Sequence, residues 1–181
     1  MMYGMEIKEN ISLKPFNTFG LEARAARYVC FTSTDELQFL IRAGEFHRGR
    51  SMVLGGGSNI LLRGDYDGLV ARNAIPGITV KESGDDVLVT AGSGVIWDDL
   101  VQFCVEHGYG GIENLSLIPG STGAGPIQNI GAYGVELKDV FRSLLAIDLE
   151  TGKPEEFDAS SCRFAYRDSI FKNELKGRFV I

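Results

Sequence analysis

A chain of 181 residues buries roughly 70% of its unfolded surface on folding, enough for a core that needs neither metal nor disulfide. The formal net charge of −6, with no lysine or arginine run, argues against nucleic acid or an anionic membrane as the main partner. No apolar stretch approaches the roughly 20 residues that span a bilayer, and 1–10 is charged, without the apolar core of a signal peptide. Cys30, Cys104 and Cys162 are odd in number and widely spaced, which suits a reducing cytoplasm better than a disulfide framework. With only His47 and His107 beside them, no metal-ligand spacing arises, so no metal site is expected.

In chain order, Ser12 to Gly20 is aromatic and rich in turn formers, and reads as an irregular arm that packs. Ala26 to Thr32 is β-branched and aromatic, hence a strand. Ser33 or Thr34 caps a helix from Asp35, with Leu37, Leu40 and Ile41 on one face and an end before Gly49. Met52 to Leu54 is a short strand entering Gly55-Gly56-Gly57-Ser58-Asn59, with further strands at Ile60 to Leu62 and Leu69 to Arg72. Ile78 to Glu82 and Val87 to Ala91 form a hairpin through Ser83-Gly84-Asp85-Asp86. A helix from Ile96 to His107 follows, stopped by Gly108, with Trp97 and Cys104 as core residues. Leu145, Ile147 and Leu149 alternate within a strand between Val140 and Glu150, and a second strand lies near Glu155 to Phe157. Asp158 to Arg163 suits one helical turn, and Phe179-Val180-Ile181 a strand. An end on a bare apolar strand suggests a fragment.

The densest feature is Ile118 to Gly134, with Gly120, Gly123, Gly125, Gly131 and Gly134, two prolines and no charge. Clustered glycine implies positive φ or backbone pressed against something else. Pro126 suits the first turn of a short helix over Ile127 to Ile130, whose N-terminal amides would bind an anion or a polar ring edge. The rival is a flexible loop, but interleaved Ile, Pro and Tyr are unlike linker sequence. The run Gly55 to Asn59 is no P-loop, since no Gly-Lys-[Ser/Thr] follows, and no Rossmann fingerprint, since Ile60 stands where glycine is required. It remains a strand-ending turn with donors for a pyrophosphate, or simply a turn. One long ligand, a dinucleotide held without a Rossmann fold, accounts for both loops. Tyr166-Arg167-Asp168-Ser169 sets polar chemistry among apolar flanks. Arg167 either pairs with a neighbouring acid such as Asp168 or grips a carboxylate through two parallel hydrogen bonds.

Asn17-Thr-Phe-Gly20, Gly55-Gly-Gly-Ser-Asn59, Ile118-Pro-Gly120, Pro126-Ile-Gln-Asn-Ile-Gly-Ala-Tyr-Gly134 and Tyr166-Arg-Asp-Ser169 stand in this order over nearly the whole chain from Leu13. Together they resemble the UDP-N-acetylenolpyruvoylglucosamine reductase family in its longer, type I form. The resemblance implies an α+β fold: a two-lobed FAD-binding domain of the vanillyl-alcohol-oxidase and p-cresol-methylhydroxylase (PCMH) type. Lobes at 1–72 and 73–181 would precede a substrate domain. It implies a cytoplasmic enzyme in which NADPH reduces FAD and the flavin reduces a UDP-sugar enolpyruvyl ether to a lactyl ether in peptidoglycan precursor synthesis.

The cofactor would contact Leu54, Gly55, Gly56, Gly57, Ser58 and Asn59 on the pyrophosphate side. Along flavin and ribityl it would meet Ile118, Pro119, Gly120, Ser121, Gly123, Ala124, Gly125, Ile127, Gln128, Asn129, Gly131, Ala132, Tyr133 and Gly134, and finally Ile181. Tyr166 and Arg167 would bind substrate, with Arg167 catalytic. Thr122 departs from the family pattern, where an apolar residue is usual. The family's serine proton donor and its glutamate belong to the later domain, so this chain alone should bind FAD without completing the reduction. Rival readings are another PCMH-type dehydrogenase or oxidase domain, a non-catalytic nucleotide-binding module, and a structural domain without ligand.

Overall fold

The computed structural model describes residues 5–181; the first part of the charged N-terminal segment, 1–4, lies outside the described residues. Strands β1 (Lys8–Ser12), β2 (Arg24–Phe31), β3 (Ser51–Leu54) and β4 (Tyr66–Asn73) form a sheet ordered β1-β2-β4-β3. β1 is antiparallel to β2, whereas β2 and β3 both run parallel to β4. A parallel neighbour needs a crossover, and α1 (Thr34–Arg42) supplies it between β2 and β3. Its first turn is fixed by Ser33, whose hydroxyl accepts from the Glu36 N–H. Leu37 and Leu40 are buried on Val29, Phe31, Leu69 and Ala71, and that cluster continues into Ile147 and Val180 from the far end of the chain. Each such side chain contributes about 1.5–3 kcal/mol of transfer free energy, so the first sheet and the C-terminal strands share one core.

The hairpin of β5 (Ile78–Ser83) and β6 (Asp86–Ala91) comes next, then α2 (Trp97–Glu106). α2 buries Trp97, Leu100, Val101 and Cys104 against Leu115, Ile130 and Leu137. The indole N–H of Trp97 donates to the Leu115 carbonyl at 2.8 Å, so this large side chain is polar-satisfied as well as buried. A two-residue pair, β7 (Gly131–Ala132) and β8 (Val135–Glu136), closes the glycine stretch. β9 (Ser143–Asp148) is flanked by β10 (Pro154–Asp158) and β11 (Phe179–Val180), both antiparallel to it. The single turn α3 (Ala159–Cys162) is capped by the Asp158 carboxylate, which accepts from the Ser161 N–H at 2.7 Å.

The expected strands, hairpin and helices form, with three differences. Residues 60–62 are not a strand: Leu61 is 68% exposed, and the chain turns back to begin β4 before these residues meet an edge to pair with. Leu145, one of the three alternating apolar residues of its strand, is 55% exposed. β1 was not expected, because Lys-Glu-Asn-Ile-Ser lacks strand alternation and its order comes from pairing with β2.

Candidate functional site

β3 delivers the buried Leu54 directly into Gly55–Asn59, and that turn lies against the Ile118–Gly134 stretch. A Cβ on Gly55 would stand 2.4 Å from Ser121 Oγ, and one on Gly56 would stand 3.2 Å from the Gly120 Cα. On the other side of the turn, a Cβ on Gly57 (φ +68°) would stand 2.0 Å from the Phe16 carbonyl oxygen. The Thr18 N–H donates to the Gly57 carbonyl at 3.1 Å, so the N-terminal arm fixes the turn from behind. Asn59 Nδ2 donates to Gln128 Oε1 at 3.1 Å, a second tie between the loops. The glycines at 55, 56 and 57 are therefore required by the packing of protein against protein as well.

Backbone donors remain at this junction. Among the described residues, the N–H groups of Gly56, Gly57, Ser58 and Asn59 donate to no protein acceptor, and neither do those of Gly120 and Ser121. Unpaired amides on a turn that includes a left-handed residue form an anion-binding concavity, which suits a pyrophosphate. The hydroxyl of Ser58 lies beside Gly120. On donor chemistry and close backbone approach, the junction fits a dinucleotide.

Further along, the stretch faces inward. The N–H groups of Thr122 and Gly123 donate to Val95 and Ser93 carbonyls at 2.9 Å each, and Thr122 Oγ1 donates to the Gly92 carbonyl at 2.6 Å. A polar Thr122 thus has a structural use. Ala124 and Gly125 donate back to Ser121 and Thr122. The expected helix over Ile127 to Ile130 is a single 3-10 turn, Pro126–Gln128, with Pro126 in its first turn. Asn129 stops it at φ +43°, so no helix N-terminus is available to bind an anion. The Asn129 side chain is wholly buried, donating to the Ala165 carbonyl at 3.0 Å and accepting from the Lys138 N–H at 3.0 Å. It holds protein, not ligand, through its amide. Ile118 is half-buried, while Pro119 and Ile127 are exposed. Gly131 and Ala132 lie in β7, and Tyr133 (φ +52°) with Gly134 (φ +83°) makes the turn into β8, a left-handed pair of the hairpin-favoring kind. Tyr133 is 89% exposed. Ile181 lies beside Gly123 and its carbonyl accepts from Asn73 Nδ2 at 3.1 Å.

Ala165 and Asp168 exchange both backbone hydrogen bonds at 3.1 Å, leaving Tyr166 and Arg167 as the two corner residues of a tight turn. Arg167 sits at φ +53°, a left-handed conformation that disfavours a branched Cβ position. Its guanidinium is exposed and, among the described residues, has no ion pair. Asp168 is not its partner: that carboxylate accepts from Asn173 Nδ2 and the Ser169 N–H, each at 2.9 Å. Both ends of the turn are fastened to the glycine stretch, by Asn129 on Ala165 and by Ser169 Oγ donating to the Ile127 carbonyl at 2.7 Å. Ser169 is 2% exposed. The structure therefore brings the arginine turn and the Pro126–Asn129 segment together.

No cysteine competes as a nucleophile. Burial pushes the Cys162 thiol up to about 12 and raises those of Cys104 and Cys30 as well. Among the described residues no cluster of His, Cys, Asp or Glu is able to hold a metal ion, and no helix is long and apolar enough to cross a membrane. Sequence reasoning missed Asn73 and Ser93, whose side chains bond each other at 2.8 Å and tie β4 to the glycine stretch. It also missed Ser169 as the fastening of the arginine turn. A buried Asn or Ser without periodic context gives no sequence signal until its partners are placed.

The FAD-binding domain model matches residues 25–158. A UDP-N-acetylenolpyruvoylglucosamine reductase of Amoebophilus asiaticus is 48% identical over 178 residues, 98% of this chain and 52% of the relative. One of Neisseria gonorrhoeae is 50% identical over 176 residues, 97% of this chain and 51% of the relative. The chain thus spans about half the length of these relatives. Among solved structures, the reductase of the same name from Thermus caldophilus superposes with a TM-score of 0.71 at 25% identity, over 91% of this chain and 57% of that one. A solvent-stable cholesterol oxidase shares the fold alone, with a TM-score of 0.55 at 14% identity over 85% of this chain and 33% of that one. The architecture is α+β, of the PCMH type. With a family match across residues 25–158, most of its length, the chain belongs to the FAD-binding domain family.

Proposed function

We propose that this chain is the flavin-holding half of a UDP-N-acetylenolpyruvoylglucosamine reductase, acting in the cytoplasm in peptidoglycan precursor synthesis with NADPH as reductant. The observation that carries the reading is the unpaired Arg167 guanidinium on a strained turn, fastened by Asn129 and Ser169 to the same glycine stretch that offers donors to a dinucleotide. Relatives of that name at 48–50% identity support it.

In this reading the lobes 1–72 and 73–181 hold the cofactor between them. The free amides of Gly56 to Asn59, with those of Gly120 and Ser121, take the pyrophosphate. The exposed faces of Ile118, Pro119, Ile127 and Gln128, with the β7–β8 turn, lie along the flavin. Bound FAD supplies two-electron reduction at a carbon centre. Arg167 supplies the complementary part. An enol ether is electron-rich and accepts hydride poorly unless its conjugated carboxylate takes up the developing charge. A guanidinium set against that carboxylate holds it in place and stabilises the charge by roughly 3–4 kcal/mol, in the manner of an oxyanion donor. The exposed ring of Tyr166 sits beside it as a wall for the substrate. Proton delivery falls to residues outside this chain.

The test has two stages. FAD titration of the purified chain should quench flavin fluorescence at one equivalent, and a chain that takes up no flavin removes the proposal. In a full-length enzyme, Arg167→Ala should lower kcat by roughly 10²–10³-fold with flavin content unchanged. Near-wild-type turnover of the enolpyruvyl sugar nucleotide would take Arg167 out of the mechanism.

A further inference from the structure

Among the described residues Leu117 is the only aliphatic side chain in the left-handed region, at φ +61°. A bulky residue is disfavoured there because its Cβ crowds the following carbonyl oxygen. Burial does not offset the strain, since Leu117 is 80% exposed. Such a conformation persists only where its surroundings over-determine it. The surroundings here are Asp98, in the first turn of α2. One oxygen of its carboxylate accepts from the Leu117 N–H at 2.6 Å and from the Ser116 hydroxyl at 2.9 Å. The other accepts from Gln102 Nε2 at 2.9 Å, one helical turn further on, which orients the carboxylate. These donors, the Leu117 N–H foremost, hold the Asp98 carboxyl below the usual carboxylate range, so it is a charged acceptor at neutral pH.

The segment that Asp98 grips leads directly into the junction. Trp97 ties it at both ends, with its indole N–H on the Leu115 carbonyl at 2.8 Å and its backbone N–H on the Gly120 carbonyl at 3.0 Å. Between those ends, among the described residues, no hydrogen bond but that from Leu117 to Asp98 reaches the backbone from Leu117 to Pro119. Asp98 therefore sets the direction from which the chain enters Gly120 and Ser121. Those two residues lie on the earlier glycine turn: a Cβ on Gly56 would stand 3.2 Å from the Gly120 Cα and 3.5 Å from the Ser121 nitrogen. Their N–H groups are among the donors without a protein acceptor.

We propose that Asp98 is a positioning residue for the cofactor: it holds Leu117 left-handed and thereby aims the Gly120 and Ser121 N–H groups at the pyrophosphate. The proposal rests on the flavin reading and adds to it a residue outside both glycine loops. It differs from the simpler role of an acid at a helix N-terminus, where charge against the helix dipole is what matters. Asp99 shares that turn and is exposed, with no hydrogen bond or ion pair to its side chain among the described residues, so it serves as the control for the dipole. In the positioning role the acceptor oxygen matters and the charge does not, so asparagine should substitute. Glycine at 117 should also make the latch dispensable, because it enters the left-handed region without strain.

The experiment titrates FAD into the flavin-depleted full-length protein and reads flavin fluorescence. Asp98→Ala should weaken FAD binding by about tenfold or more, whereas Asp98→Asn and Asp99→Ala should stay within about threefold of the parent. Leu117→Gly should restore most of the affinity lost in Asp98→Ala. Parent-like binding by Asp98→Ala overturns the proposal. So does an equal loss in Asp98→Asn, which would assign the effect to charge, or a failure of Leu117→Gly to restore binding. Amide hydrogen exchange at Leu117, read without flavin, separates the two readings. It should be about tenfold faster in Asp98→Ala and parent-like in Asp98→Asn. A parent that takes up no FAD removes the flavin reading, and exchange at Leu117 then decides the latch by itself: unchanged exchange in Asp98→Ala overturns it.

Discussion

The glycine-loop junction and the arginine turn present chemistry in opposite ways. At the junction the backbone is the reagent. Gly55, Gly56 and Gly57 lie against Ser121, Gly120 and Phe16, so closely at Gly57 that no side chain fits, and what remains is a row of N–H groups without protein acceptors. At the turn the proposed reagent is a side chain. Tyr166 and Arg167 are exposed, and their backbone is closed off by the Ala165–Asp168 pair. Backbone donors are pre-organised by the fold and are lost only with it, whereas an exposed guanidinium is removed without the fold noticing. The junction should therefore couple stability to cofactor affinity, and the turn should separate them.

The largest expected effect is at Gly57. Gly57→Val adds a β-branched side chain at φ +68° and places Cβ 2.0 Å from the Phe16 carbonyl oxygen. Left-handed strain and overpacking together should cost about 3 kcal/mol or more, and chemical denaturation should show the loss along with abolished FAD uptake. Asn129→Ala should follow, at about 1–2 kcal/mol, because it leaves the Lys138 N–H without its acceptor and takes from the Ala165 carbonyl one of its two donors. A denaturant midpoint unchanged from the parent would show that the clasp between the two regions carries no energy. Gly56→Ala is milder. Its Cβ would meet Gly120 Cα at 3.2 Å, a gap the loops open by a few tenths of an ångström. Stability should fall by about 1 kcal/mol and FAD affinity by about tenfold, read by flavin fluorescence. The smallest effect is at the turn itself. Arg167→Gly relieves the left-handed strain while adding unfolded-state entropy, so stability should stay within about 0.5 kcal/mol of the parent. A large loss there would erase the contrast between the regions.

Acid adds an independent check on the shared core. Asp148 is buried, which pushes its carboxyl up, but the N–H of Thr151, the Arg178 guanidinium at 2.8 Å and the N–H of Glu150 outweigh this and hold it below the usual carboxylate range. A carboxylate with a depressed folded-state pKa stabilises the fold above its unfolded value of about 3.9, and that contribution is lost as pH falls through the folded value. The melting temperature should fall steeply below about pH 4, and Asp148→Asn should flatten that slope.

Periodicity exposed α1, α2 and the hairpin in the sequence, and the glycine clusters marked the junction, because these signals are local. The reason for the glycines was not local. Nothing in Gly55-Gly56-Gly57 says that Gly120 and Phe16 will press on it, so only the ligand reading of the glycines was legible and the protein contacts were not. The two partners of the Asn129 amide, Ala165 and Lys138, were illegible for the same reason. Leu145 belongs to the alternating set of β9 and is nevertheless exposed, since β11 reaches only Ile147 and Asp148.

The contact between Gly56 and Gly120 also sets an order of events during synthesis. The two loops are far apart in sequence, so the anion cradle does not exist on a nascent chain until the Ile118–Gly134 stretch has left the ribosome and closed onto the earlier turn. Closure over such a length is entropically slow relative to local helix formation. Flavin capture should thus follow closure of the two loops, and quenching of flavin fluorescence should report that closure.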